Sequence, residues 1–180
     1  MKFTTDYAAQ VTLSRAAQDA LREDAYQRQH IEACGLLLGQ IDAQGNWHVE
    51  QILPLRNIYE SPVYFEFAPE DLLAAELLYP ERIIGVYHSH PTGFAKASST
   101  DRENMRRINS EQDIPWVWLI LRSPFRESAD TLADTELIAY HHYRQEGLRQ
   151  IKVVLHATQK PGDDSKHPSE ESSAQQTQNS

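Results

Sequence analysis

Only one cysteine, Cys34, occurs in the 180 residues. A lone thiol excludes an internal disulfide framework and a four-cysteine structural zinc, and it removes the Cys-x-x-Cys half of a deaminase-type zinc site. It suits a reducing compartment, and a cytoplasmic location is expected. No stretch approaches the roughly 18–20 uninterrupted apolar residues that a membrane-spanning helix needs. The first residues, Met1 to Asp6, lack the apolar run of a signal peptide. Positive charge is also short. Against 26 Asp and Glu stand 17 Lys and Arg, a net charge of −9, so a sequence-independent grip on nucleic acid phosphates is not expected. No membrane partner is expected either, and no internal repeat is visible.

What is present reads as one globular domain over residues 1–156 and a polar tail over 157–180, expected to be disordered because it cannot bury enough apolar surface to offset its ordering entropy. Val11 to Ser14 reads as a short strand, with Ser14 placed to cap a helix over 15–29 that carries Ala17, Ala20, Leu21 and Ala25 at helical spacing. His30 follows it; a helix C-terminus favours a basic side chain, so His30 is left out of any site. Cys34 to Ile41 is an apolar run typical of a strand buried on both faces. Residues 42–46 form a turn with Gly45 at positive φ, and Trp47 to Leu53 alternates like a strand with one wet face, His48 being solvated. Pro54 to Pro62 reads as irregular and Tyr64 to Phe67 as extended.

Pro69 fits a first helical position, and the helix to Tyr79 is expected to bury Leu72, Leu73 and Leu77. Ile83 to Tyr87 is a strand. Thr100-Asp101-Arg102-Glu103 has the form of a capping box, so a helix should start near Asp101 and reach about Ser110. Trp116 to Leu121, Thr135 to Tyr143 and Leu148 to Leu155 read as strands, the tryptophans as core. His141 and His142 are adjacent, so they face opposite ways and cannot share one site.

The stretch His88 to Asp101 organises the rest. On an extended chain His88 and His90 point to one side. Asp101 returns after a loop and can add a carboxylate oxygen. Two imidazoles and a carboxylate, with one position left to water, is the open arrangement of a catalytic zinc site. The plainer alternative is a pair of polar residues leaving a strand end.

His88-x-His90-Pro91, six residues, then Ser98-x-x-Asp101 resembles, position for position, the motif of the JAMM (MPN-plus) metalloproteases. Those proteins also use an upstream glutamate beside a Gly-Leu strand, and Glu32 heads Glu32-Ala-Cys-Gly-Leu-Leu-Leu-Gly39. The resemblance covers roughly residues 10 to 155. It implies an α/β fold, a mixed β-sheet flanked by helices, of MPN (cytidine-deaminase-like) architecture. It implies one zinc ion per chain on His88, His90 and Asp101, with Glu32 as the general base on the bound water and Ser98 stabilising an oxyanion. Ser98 has a second reading, as a helix cap, and the two are compatible. Glu32, set against an apolar run, should feel desolvation that favours taking up a proton. Ala97 stands where many bacterial relatives have proline. Cys34 is either part of the same cavity or, by the plainer reading, a small buried residue.

By the same resemblance the substrate is an amide formed by the C-terminal glycine of a ubiquitin-like or sulfur-carrier protein with a Gly-Gly tail. The stretch Glu32 to Gly39 and the segment Ser61-Pro62-x-x-Phe65-Glu66-Phe67 look more like hydrolases that free cysteine from a sulfur carrier. The alternative is an isopeptidase that removes a ubiquitin-like modifier from lysine. A non-catalytic MPN scaffold would lack the metal ligands, and all three are present.

Overall fold

The computed structural model describes residues 9–92, 94–122 and 137–156. Within it, seven strands and three helices follow in the order β1 (Gln10–Leu13), α1 (Arg15–Gln27), β2 (Cys34–Ile41), β3 (Trp47–Leu55), α2 (Pro69–Leu78), β4 (Ile83–His90), α3 (Ser99–Met105), β5 (Val117–Arg122), β6 (Leu137–Tyr143) and β7 (Gly147–Leu155). A π-helical stretch, Arg106–Glu111, prolongs α3. The sheet runs β1-β3-β2-β4-β5-β6-β7. It is mixed: β1 is parallel to β3 and to β7, β4 is parallel to β5, and the other pairs are antiparallel. The expected mixed sheet with helices is therefore present, and it curls until β1 joins its two ends, which leaves no free long edge in the ring.

Period-2 alternation sorts the strands into two cores. Leu37, Tyr87 and Leu119 face one way and pack with Leu13, Trp47 and the α1 side chains Ala17, Leu21 and Ala25. Leu36, Val86 and Ile120 face the other way, onto Met105, Trp118, Phe65 and Leu72. Each such fully buried leucine or isoleucine contributes about 1.5–3 kcal/mol relative to exposure. The central strands carry apolar side chains on both faces because both faces are covered.

α1 starts where the sequence places it. The Ser14 hydroxyl accepts from the Ala17 amide at 3.1 Å. At the other end Arg28, rather than His30, serves the helix C-terminus. Its guanidinium donates to Asp24 and to the carbonyls of Leu55 and Cys34, and Asp24 also accepts from the Tyr87 hydroxyl at 2.8 Å. His30 is exposed.

Several expectations need correction. β3 continues through Pro54 to Leu55; past Val49 it no longer pairs with β1, and a strand with one partner tolerates the missing N–H. His48 is held by Asp42, Nε2 to Oδ2 2.9 Å, rather than merely solvated. Tyr64 to Phe67 forms only an isolated bridge, Phe67 to Asn57. α2 buries Ala75, not its leucines: Leu73, Leu77 and Leu78 are 56%, 74% and 72% exposed, and Leu72 alone turns toward the core. The leucines at 72, 73, 77 and 78 spread round the helix, so one face cannot bury them all. β4 runs on through the two histidines instead of ending at Tyr87. The capping box is Ser98 with Asp101, and α3 begins at Ser99, not with a Thr100–Glu103 pair. The 157–180 tail and Thr135 lie outside the described residues. Among the described residues no helix is long and apolar enough to cross a membrane.

Candidate metal centre and its cleft

Strand pairing assembles the site. β2 and β4 are antiparallel with Cys34 opposite His88, so the chain just before β2 runs beside the end of β4. Two bonds continue that pairing past the strand: the Ser89 amide donates to the Ala33 carbonyl at 2.8 Å, and the Ala33 amide donates to the Ser89 hydroxyl at 2.9 Å. Glu32 is pinned from behind as well. Its amide donates to the Ser61 carbonyl at 2.8 Å, and its carbonyl accepts from the Asn57 side chain at 3.2 Å. Glu32 is buried, and its Oε1 lies 3.8 Å from Nε2 of His90.

Asp101 arrives on α3. The Ser98 hydroxyl accepts from the Asp101 amide at 3.1 Å, and the Ser98 amide donates to Asp101 Oδ2 at 2.7 Å. This reciprocal box fixes the helix start and aims the carboxylate inward. His88 Nε2 lies 3.1 Å from His90 Nε2 and 3.3 Å from Asp101 Oδ1, and His90 Nε2 lies 3.6 Å from Asp101 Oδ2. A tetrahedral zinc with bonds of about 2.0–2.1 Å separates its ligand atoms by about 3.3–3.4 Å. The three side chains therefore stand at the spacing of a first coordination shell, and among the described residues they are the ligand-type group that converges this tightly. His90 Nδ1 is 2.8 Å from the Phe94 carbonyl. A carbonyl only accepts, so Nδ1 carries the hydrogen and the Nε2 lone pair of the neutral ring faces the group. Such an outer bond commonly orients a metal-binding histidine. His88 is held differently: among the described residues its buried Nδ1 has no hydrogen-bond partner, and its ring stacks on Phe65 at 4.7 Å between centroids.

Electrostatics follow the same geometry. Burial pushes the Glu32 carboxyl up to about 7, with His90 opposing and Asp101 adding to the rise. Burial lowers His88. Burial also acts to lower His90, but Asp101, the Phe94 carbonyl and Glu32 outweigh it and raise the ring. Burial works against an ionised Asp101, yet bonds from His88, His90 and Ser98 hold its carboxyl far below the usual range. The arrangement keeps one carboxylate charged and ready as a ligand while its neighbour titrates near neutrality.

The site opens into a cleft of about 230 Å³. Glu32, His90, Ser98 and Asp101 line it, with His88 buried behind. One wall is Pro62 to Phe65, and Thr100 and Asn104 of α3 and Lys96 of the preceding loop form the other side. Every residue expected at the site is thus brought to one place. Cys34 is not: its thiol is buried toward the Leu55 carbonyl, and burial pushes it up to about 12, which makes it inert packing. His141 and His142 also go elsewhere, to the Trp116 carbonyl and to Ser110. Sequence reasoning missed Phe65 as the face against His88, Asn57 and Ser61 as the anchors of Glu32, and Lys96. Within the 61–67 segment, its serine and aromatics are the available signal.

Residues 14–136 match the family described as prokaryotic homologs of the JAB domain. The chain is 31% identical over 128 residues to a desampylase from Pyrococcus furiosus, an alignment covering 69% of this chain and 76% of that protein. It is 33% identical over 104 residues to a desampylase from Haloferax volcanii, covering 53% and 73% respectively. In fold it resembles a protein from Desulfitobacterium hafniense solved in solution, with a TM-score of 0.65, 24% identity, and 82% and 94% of the two chains covered. With the family match spanning most of the chain, and the two histidines, the aspartate and the buried glutamate gathered at one cleft, this protein belongs to the prokaryotic JAB-domain family, the bacterial and archaeal branch of the JAMM/MPN proteins.

Proposed function

We propose that this protein is a zinc-dependent hydrolase that cleaves the amide bond after the C-terminal glycine of a ubiquitin-like or sulfur-carrier protein. The observation that carries the reading is the convergence of His88, His90 and Asp101, at metal-ligand spacing, beside a buried Glu32 on an open cleft. Zinc, when bound, supplies a water whose pKa falls from ~15.7 toward ~7 and polarises a carbonyl. His88 and His90 offer imidazole nitrogens for one ion per chain, and Asp101 offers a carboxylate oxygen. Glu32 accepts a proton from the attacking water and passes it to the leaving amine nitrogen, so the amide C–N bond breaks without releasing a free amide anion. A carboxyl that titrates near 7 suits both halves of that task. The Ser98 oxygen already accepts from the Asp101 amide, which leaves its own hydrogen free to donate to the developing oxyanion. One such donor is typically worth ~2.7–4 kcal/mol of barrier.

An extended glycine tail is thin enough to lie in the cleft against the Pro62–Phe65 wall. Two leaving groups fit this reading. The 61–67 segment favours cysteine freed from a sulfur carrier, in a cytoplasmic setting. The likeness to two desampylases favours removal of a ubiquitin-like modifier from protein lysine. Zinc-loaded protein incubated with the same carrier joined to cysteine and to the lysine side chain tests both. Faster cleavage of the cysteine conjugate supports the first, the reverse order supports the second, and no cleavage of either removes the hydrolase reading.

A further inference from the structure

We propose that Lys96 reads the leaving group, by pairing with a free α-carboxylate on the amino acid whose nitrogen is released. This rests on the hydrolase reading above and narrows it to conjugates of a free amino acid.

Lys96 lines the cleft together with Glu32, His90, Ser98 and Asp101. Its backbone is held on both sides. Ala95 and Ala97 are buried, the Lys96 amide donates to the Phe94 carbonyl at 2.7 Å, and Arg102 Nε donates to the Ala97 carbonyl at 3.2 Å. The same Phe94 carbonyl orients His90. The loop is therefore built into the site, and at position 96 only the side chain is turned outward. Ala95 and Ala97 bury on either side of Lys96, while Phe94, Lys96 and Ser98 alternate with them toward the cleft.

The charges of the lining are otherwise engaged. Asp101 binds both histidines and the Ser98 amide, and Glu32 faces His90. Among the described residues no hydrogen bond or ion pair engages the Lys96 ammonium, whereas the arginines of the π-helical stretch are occupied: Arg106 by Glu103 and Glu111, and Arg107 by Asn104. A cation that is fixed at its root and unpaired at its tip, in a lining whose acids already have partners, has its natural counterpart in a substrate anion.

Covalent geometry says which anion can reach it. In an amino acid the carboxyl carbon is about 2.5 Å from the nitrogen, given bonds of about 1.46 and 1.52 Å and an angle near 111°. A free α-carboxylate thus sits beside the scissile bond, in the cleft that Ser98 and Lys96 both line. A lysine joined through its side chain carries its main chain several bonds away, and in a protein that carboxyl is an uncharged peptide carbonyl. Lys96 can therefore separate a free amino-acid leaving group from a protein lysine by charge alone.

The test uses full-length, zinc-loaded protein and two probes: a ubiquitin-fold carrier ending in Gly-Gly joined to cysteine, and the same conjugate with the cysteine carboxyl blocked as a primary amide. The wild type should favour the free carboxylate by about tenfold in kcat/KM, a size fitting one charge-assisted pair at a partly wet rim. In Lys96→Gln that ratio should fall toward one, and Lys96→Arg should keep most of it. Glu32→Gln protein, titrated calorimetrically with the two intact conjugates, should show the same preference in binding without turnover. A wild-type ratio near one, or a ratio that survives in Lys96→Gln, overturns the role of Lys96 while leaving the hydrolase standing. If the wild type cuts neither cysteine conjugate but cuts the carrier joined to a lysine side chain, the role of Lys96 falls and the hydrolase stands; cleavage of none of the three overturns both.

Discussion

The carboxylate of Glu32 lies 3.8 Å from Nε2 of His90 because the register that sets Cys34 opposite His88 carries residue 32 to residue 90. A strand pairing made in the core thus decides the distance between an acid and a metal-type ligand at the surface end of the sheet. A slip of one residue would turn β4 over and send both histidines to the opposite face.

Metal and base should separate by mutation. His88→Ala should lose bound zinc, measured by elemental analysis of purified protein. Glu32→Gln should keep about one zinc per chain and lose hydrolysis by about 10²–10⁴-fold, the usual worth of general acid–base help. Chelation should abolish activity and added zinc should restore it. Full activity in Glu32→Gln would remove the general-base role.

Metal-free protein should report the burial of Glu32 through pH. The folded carboxyl titrates near 7 against an ordinary value of 4.5, so the folded state holds the proton more tightly than the unfolded chain. The associated stability is complete below pH ~4.5 and is lost as pH rises through 7. Glu32→Gln should therefore exceed the wild type in urea stability at pH 8, by up to about 3 kcal/mol, and match it near pH 4. A difference independent of pH would contradict this origin.

Ser98 carries two tasks that substitution can divide. Ser98→Ala removes the acceptor of the Asp101 amide and should cost about 1 kcal/mol of stability. Ser98→Asn should recover the cap, and with it thermal stability, but not turnover. Recovery of both would reduce Ser98 to a cap.

A methyl group at Gly35 would meet the Leu53 carbonyl and the ring and hydroxyl of Tyr87. Gly35→Ala should therefore destabilise by about 1–3 kcal/mol, read from denaturant midpoints, because the first obstacle is backbone that cannot rotate away.

The leucines of α2 should behave as their exposure dictates. Leu77→Gln should change stability by less than about 0.5 kcal/mol, whereas Leu37→Ala in the core should cost about 2–5 kcal/mol. A large loss at Leu77 would mean that the residue is covered in solution.

Local chemistry was legible wherever it depends on near neighbours. The Ser14 cap, the strand Cys34–Ile41 and the turn at Gly45 were all readable from spacing and residue type. The His88-x-His90 alternation also needed only the period of a strand. α2 misled because a run of leucines with Pro69 at its head looks like a core helix, while burial depends on what the helix meets. The Thr100–Glu103 box misled for a similar reason: two overlapping capping patterns were present, and the one that aims Asp101 inward prevailed.

By itself, then, the chain's order of residues determined which side chains could act as ligands, base and cap, since periodicity and backbone preference operate over a few residues. Only the folded arrangement decided that Glu32 reaches His90, that Phe65 covers His88, that Lys96 stands in the cleft, and that β1 joins β3 to β7. Those relations depend on which distant strands pair and in what register, a choice made by burial summed over the whole molecule rather than by any short pattern.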